Sequence, residues 1–126
     1  MASLTKNEKK LDKLFSLYIR AKYTKDGYGS CYTCGAVKPY EELDCGHYIS
    51  RTHKATRWLE KNAKIQCQFC NRFRQGAADE FALHLIKDYG QDILDELNKA
   101  KWMPFRADEL WVEDRLSTYK KLLESL

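Results

Sequence analysis

Between Thr5 and Tyr23, apolar residues fall at Leu11, Leu14, Phe15, Tyr18 and Ile19 with lysines, acids and serine filling the gaps. Spacings of three and four predict an amphipathic helix over residues 5–23, and Thr5 with Glu8 forms a capping-box signature at its start. "TKDGYGS" then breaks the pattern. From 31 to 70 the apolar positions are irregular and predict only short strands near 43–49 and 64–67. Helical periodicity resumes after Cys70 and predicts a helix over about 71–88, with Gly90 as its stop. Ile93, Leu94 and Leu97 mark a short helix, Pro104 interrupts, and Val112, Leu116, Tyr119 and Leu123 stripe a last helix over about 107–124.

At 126 residues the chain suits one domain with one special site. The reading is a single domain 1–126, with an N-terminal helical part (1–28), a metal-stapled core (31–88) and C-terminal helices (89–126). The end helices are read as packing elements or as a dimer surface. No apolar run is long enough to span a membrane, and "MASLTKNEKK" carries charge where a secretion signal needs an apolar stretch. A reducing cytoplasm is therefore expected, where paired thiols serve as metal ligands more often than as disulfides.

Charge sharpens this picture. The net charge is +4, but residues 51–74 carry seven basic groups and one acid, while 75–126 carry seven and eleven. Such a local basic surplus suits a polyanion; a solvated loop is the plainer alternative.

Four of the five cysteines form two Cys-x-x-Cys pairs, Cys31–Cys34 and Cys67–Cys70, separated by 32 residues. Each pair can clasp one side of a tetrahedral Zn²⁺, and a closed four-thiolate site is structural, not catalytic. Two redox dithiols are the rival reading, disfavoured because neither pair sits in a βαβ pattern. The long gap needs a folded insert, and it contains "ELDCGHYISR".

Within that insert His47, Asn62 and Asn71 follow the order of the ββα-metal nucleases, the HNH class: Asn62 stands five residues before Cys67, and Asn71 directly follows Cys70. The strings C-x-x-CG, D-x-GHY, R-[FW]-x-E-[KR]-N and QC-x-x-CN resemble the bacteriophage recombination protein family NinG, also called Rap, over most of the chain. The arrangement is also similar to phage endonuclease VII, a resolvase of branched DNA. Members carry further N-terminal sequence, and they commonly read Gly-Asn where this chain reads Gly76-Ala77.

The resemblance implies an α+β fold: a zinc-stapled ββα-metal, HNH or treble-clef-like core flanked by N- and C-terminal helices. His47 would be the general base, Asn71 an oxygen ligand for a catalytic Mg²⁺ or Mn²⁺, and Asn62 a brace for the loop behind His47. Many HNH proteins place Asp or His directly before the base, but this position is Gly46. Asp44 is the candidate second ligand, with Gln75, one helical turn beyond Asn71, in reserve. Arg51, Lys54, Arg57, Lys64, Arg72 and Arg74, with His53, would hold phosphates. Cys45 reads as core filler and Trp58 as an anchor in preference to a base-stacking residue.

The resulting expectation is a metal-dependent endonuclease cutting branched DNA, such as Holliday junctions or D-loops, during phage or prophage recombination in the bacterial host cytoplasm. Its expected partners are DNA and a second copy of the chain, with no membrane. The rivals are a non-catalytic zinc-containing DNA-binding module and a recombination adaptor using the acidic C-terminal half.

Overall fold

The Thr5 capping box forms: Glu8 N donates to Thr5 Oγ1 at 3.1 Å, and Thr5 N donates to Glu8 Oε1 at 2.9 Å. It opens helix α1, Lys6–Lys22. The computed structural model describes residues 4–126, so the first three residues of the expected N-terminal part lie outside the described residues. Helix α5, Glu109–Glu124, is capped by Asp108, whose side chain accepts from Trp111 N at 2.9 Å.

The two end helices meet each other. Leu11, Phe15, Tyr18 and Ile19 of α1 share a core with Val112 and Tyr119 of α5 and with Leu43, Ala63 and Ile65 between them. The Phe15 and Tyr119 rings meet edge-on at 5.0 Å, and the Tyr119 hydroxyl donates to the Trp58 carbonyl at 2.6 Å. Burial of these stripes within one chain is worth roughly 1.5–3 kcal/mol per large side chain. Of the two readings of the end helices, packing elements or a surface for a second copy, the first describes these faces, which are buried on each other.

Two antiparallel two-stranded sheets lie between the helices. Strands β1 (Tyr28–Ser30) and β2 (Val37–Pro39) form the first, with Cys31 and Cys34 in their connection. Strands β3 (Leu43–His47) and β4 (Ala63–Cys67) form the second, with Asp44 opposite Gln66, Gly46 opposite Lys64 and His47 opposite Ala63. All five β4 residues are buried. The β3–β4 connection contains a short α-helix, α2 (Lys54–Arg57), and a 3-10 turn, Glu60–Asn62.

The helix expected over 71–88 is divided. A π-helical turn, Phe69–Phe73, is followed by Gln75, Gly76 and Ala77 at φ of 52°, 81° and 48°, and only then by α3, Ala78–Tyr89. Three left-handed residues cannot continue a right-handed helix. Hydrogen bonds hold the reversal: Gly76 N donates to Cys70 O and Ala77 N to Arg74 O, both at 2.9 Å. Ala77 occupies the left-handed region, which a residue with a Cβ seldom adopts, and gives α3 no side-chain cap. Phe81 and Leu85 of α3, with Ile93 and Leu97 of α4 (Ile93–Trp102) and Ile49, make a second core. The whole is an α+β molecule, and no described helix is long and apolar enough to cross a membrane.

Candidate active site

The Sγ atoms of Cys31, Cys34, Cys67 and Cys70 all lie within 4.8 Å of one another. A tetrahedron of Zn–S bonds near 2.3 Å has edges of about 3.8 Å, and the Cys34–Cys67 sulfur separation is 3.8 Å. Cys31, Cys67 and Cys70 are buried and Cys34 is exposed. Backbone and hydroxyl donors surround the sulfurs: Cys70 N approaches Cys67 Sγ at 3.4 Å, and Thr33 Oγ1 approaches Cys31 Sγ at 3.4 Å. The four residues fit a structural zinc ion that would tie the β1–β2 connection to the end of β4.

Beside this cluster a cleft of about 540 Å³ gathers Asp44, His47, Arg51, Asn71, Arg72 and Gln75. Asn71 lies on the π turn, and its Nδ2 donates to Asp44 Oδ2 at 3.0 Å. Arg72, the next residue, forks onto the same carboxylate, Nε to Oδ2 at 2.9 Å and Nη2 to Oδ1 at 3.0 Å. The structure thus brings together the two residues expected to share a cation, with a guanidinium seated against them. Gln75 reaches the cleft through its left-handed backbone and not, as expected, from one turn further along Asn71's helix.

The ring of His47 lies at the base of the cleft, 6.2 Å from the Phe15 ring between centroids. Its Nε2 is 2.9 Å from the Arg57 carbonyl oxygen. A carbonyl can only accept, so Nε2 carries the proton and Nδ1 keeps its lone pair. Burial lowers the His47 pKa to about 4; the bond to the Arg57 carbonyl opposes this, and the charges of Arg51 and Arg57 add to it. The imidazole is therefore neutral near pH 7, with one nitrogen free to take a proton. Cys45, next to it on β3, packs against the α1–α5 core, and burial pushes its thiol up to about 12. It is a filler, not a nucleophile.

Asn62 is wholly buried and ties both ends of the β3–β4 connection. Its Oδ1 accepts from Ile49 N at 2.7 Å, and its Nδ2 donates to the carbonyls of Ile49 and Thr56, each at 3.1 Å. It touches nothing in the cleft and acts on the backbone. The Gly46 position has an equally local cause: a Cβ there would stand 1.9 Å from Gln66 Oε1. Gln66 cannot easily withdraw, since its Nε2 donates to Gly76 O at 2.8 Å and to Thr33 Oγ1 at 3.1 Å.

The six basic residues expected to hold phosphate divide sharply. Arg51 lines the cleft and has no ion-pair partner among the described residues. Arg72 and Arg74 are partly exposed but paired with Asp44 and Glu80. Lys54 binds Glu8 at 2.9 Å. Arg57 is clasped by Asp12 of α1, Nε to Oδ1 at 2.8 Å, and donates to Arg51 O at 2.7 Å. Lys64 corrects its expected role: it is 2% exposed, and its ammonium donates to the hydroxyls of Tyr23 and Tyr89 on the far side of the hairpin. His53 opens α2 and its ring sits edge-on to Trp102 at 5.5 Å, while Trp58 is buried with Nε1 donating to Asp12 at 2.8 Å.

Three contributors were not singled out in the sequence. Asp12 and Ser16, from α1, join the site by tertiary packing and carry no local signal. Gln66 lies inside the QC-x-x-CN string, so its position was visible but its work under Gly46 was not.

The family model described as "Bacteriophage Lambda NinG protein" matches residues 1–125. Protein ninG of Escherichia phage lambda is 33% identical over 79 residues, which is 57% of this chain and 37% of that protein. The ninG proteins of Escherichia phage 933W and Enterobacteria phage VT2-Sa are each 33% identical over the same length, covering 38% of theirs. The alignment therefore spans well under half the length of these relatives. No solved structure matches. Because the family match runs over nearly the whole length of the chain, the chain belongs to the NinG family.

Proposed function

We propose that the protein is a metal-dependent DNA endonuclease of the HNH class, with β3, β4 and the following turn and helix as its ββα-metal core. The observation that carries this reading is the meeting of a neutral His47, its tautomer set by the Arg57 carbonyl, with the Asp44–Asn71 pair in one cleft. Phosphodiester hydrolysis needs a base for water, a cation for developing negative charge, and groups that hold the phosphate. His47 Nδ1 takes the proton of the attacking water. Asp44 and Asn71 would hold a divalent cation through the Asp44 carboxylate and the Asn71 side-chain oxygen, an oxygen donor set that suits Mg²⁺ or Mn²⁺. A bound divalent ion supplies charge stabilisation on the reacting phosphate and the leaving oxygen. Gln75 stands at the cleft as a further oxygen donor, Arg51 holds the substrate backbone, and Asn62 keeps the loop in place.

Resemblance to NinG/Rap and to endonuclease VII supports branched DNA, such as Holliday junctions or D-loops, as substrate during phage recombination. A paired cut across a four-way junction would need two copies of the chain. A second reading has its own observation: Arg72 fills the place beside Asp44, and Gly46 supplies no ligand. That combination suits a zinc-containing DNA-binding module or recombination adaptor without cleavage.

Zinc-loaded protein incubated with linear, nicked and four-way DNA in Mg²⁺ or Mn²⁺ separates the two. The nuclease reading expects four-way DNA to be cut, with His47→Ala slowing cleavage by about 10²- to 10⁴-fold while junction binding persists. Binding without cleavage by the natural sequence would replace it with the second reading.

A further inference from the structure

Trp58, the one aromatic residue weighed for base stacking from sequence, is buried. Two others are not. Phe69 and Phe73 are 63% and 77% exposed, and their rings stack on each other with centroids 6.3 Å apart and planes 29° from parallel. They are the first and last residues of the π turn, so they project together from one side. The residues between them face elsewhere: Cys70 joins the buried sulfur cluster, and Asn71 and Arg72 reach Asp44 in the cleft. The turn therefore presents a flat apolar pair outward and the candidate cation site inward.

The charge around the pair indicates what covers it. No acidic residue occurs from 61 to 78, and of the basic residues there Arg72 and Arg74 flank Phe73, while Lys64 is buried and Lys61 pairs with Glu96. Arg72 and Arg74 alternate with the two rings along the chain, and their side chains remain 55% and 39% exposed. An exposed apolar plane on a turn whose two arginines keep part of their side chains in solvent, each paired with a single acid, matches a ligand with flat apolar faces and a repeated negative charge that can compete for those guanidinium groups. Single-stranded nucleic acid has both, whereas a duplex hides its base faces inside the stack.

We propose that Phe69 and Phe73 form a stacking platform for an unpaired base, placed beside the cleft so that DNA with an unstacked branch, flap or gap is held in preference to duplex. The placement of the cut relative to that base rests on the nuclease reading; the stacking does not, and binding alone tests it.

The test uses the full zinc-loaded chain and oligonucleotides carrying 2-aminopurine at an unpaired position in a flap or four-way junction, with a linear duplex of equal length as reference. Stacking on the platform changes the fluorescence of the unpaired base. Phe69→Ala/Phe73→Ala is expected to abolish that change and to weaken binding of the branched DNA by about 10- to 100-fold. Duplex affinity and the salt slope should stay as they were, because no charge is removed. Phe73→Tyr should bind like the natural sequence, and Phe73→Leu should not. These two variants carry the test if the double alanine loses its zinc. Equal losses on branched and duplex DNA, or no loss on either, would overturn the proposal. So would light scattering that shows a dimer of the natural sequence and a monomer of Phe73→Ala, which would make the face a contact between copies. Loss of cleavage in the His47→Ala protein with the fluorescence change retained leaves the platform standing, so the two readings fail separately.

Discussion

Gly46→Ala tests the packing under the base most directly. The new Cβ would lie 1.9 Å from Gln66 Oε1, 2.6 Å from its Cδ and 2.9 Å from its Cγ. Contacts this short force one group to move, and Gln66 is fully buried and anchored on Gly76 and Thr33. Overpacking costs about 1–3 kcal/mol, and leaving the buried partners of Gln66 unmatched costs about 1–3 kcal/mol more. The expected destabilisation is about 2–6 kcal/mol, a large share of a typical domain's 5–15 kcal/mol. Urea unfolding of zinc-loaded protein should show it as a midpoint lowered by about 2 M, given slopes of 1–3 kcal/mol/M. In a Gln66→Ala background the same alanine should cost about 1 kcal/mol or less, so the double-mutant cycle is strongly non-additive. Gly46→Asp, which places a carboxylate where many HNH proteins carry one, should lower activity for the same steric reason. A single-mutant cost below about 1 kcal/mol, or additivity within about 0.5 kcal/mol, would refute the clash.

One zinc per chain is expected by elemental analysis, and Cys67→Ser or a strong chelator should unfold the hairpin region as followed by circular dichroism. His47 binds its proton near pH 4 when folded and near 6.5 when unfolded. The unfolded state thus holds more protons between these values, and stability falls by about 3 kcal/mol as pH drops through that window. Urea midpoints measured from pH 7 to 4 should show this slope in the natural sequence and lose it in His47→Gln, and the acid limb of kcat/KM should lie near pH 4. Arg72→Gln frees the Asp44 carboxylate, so Mn²⁺ measured by paramagnetic resonance without DNA should bind about two- to five-fold more tightly; weaker binding would contradict the competition. Arg51→Gln should reduce the salt slope of DNA binding by about one, whereas Lys64→Met should leave it unchanged and lower stability.

Signals carried within a few residues were readable before the fold. Thr5 and Glu8 announce α1 because both partners of the cap are local, and the cysteine pairs announce their cluster because a two-residue spacer aims two sulfurs at one point. The π turn and the left-handed run at 75–77 escaped periodicity, since Gln75 and Ala77 are poor markers of positive φ and Gly76 alone reads as a helix stop. Lys64 misled because a lysine in a basic segment suggests an exposed face. In the structure β4 is covered on both sides, by the α1–α5 core and by the tyrosines that receive the ammonium. Which basic residues remain available depended on acids from elsewhere in the chain, Asp12 for Arg57, Glu8 for Lys54 and Asp44 for Arg72, which no local spacing could pair with them.

The clasp of Asp12 on Arg57 and Trp58 has a bearing on the timing of assembly. Arg57 is the residue whose carbonyl fixes the His47 proton, so the setting of the base is relayed from helix α1, 45 residues earlier in sequence. The four cysteines include nothing from α1. A chain emerging from synthesis can close its sulfur cluster once Cys70 is made, yet its imidazole stays unset until α1 swings onto Trp58 and is backed by Tyr119 from α5. On the proposed reading, metal retention would need only the folding around the cysteines, and proton-accepting competence would need the docking of both end helices as well. A half-folded molecule would keep its zinc and be chemically silent.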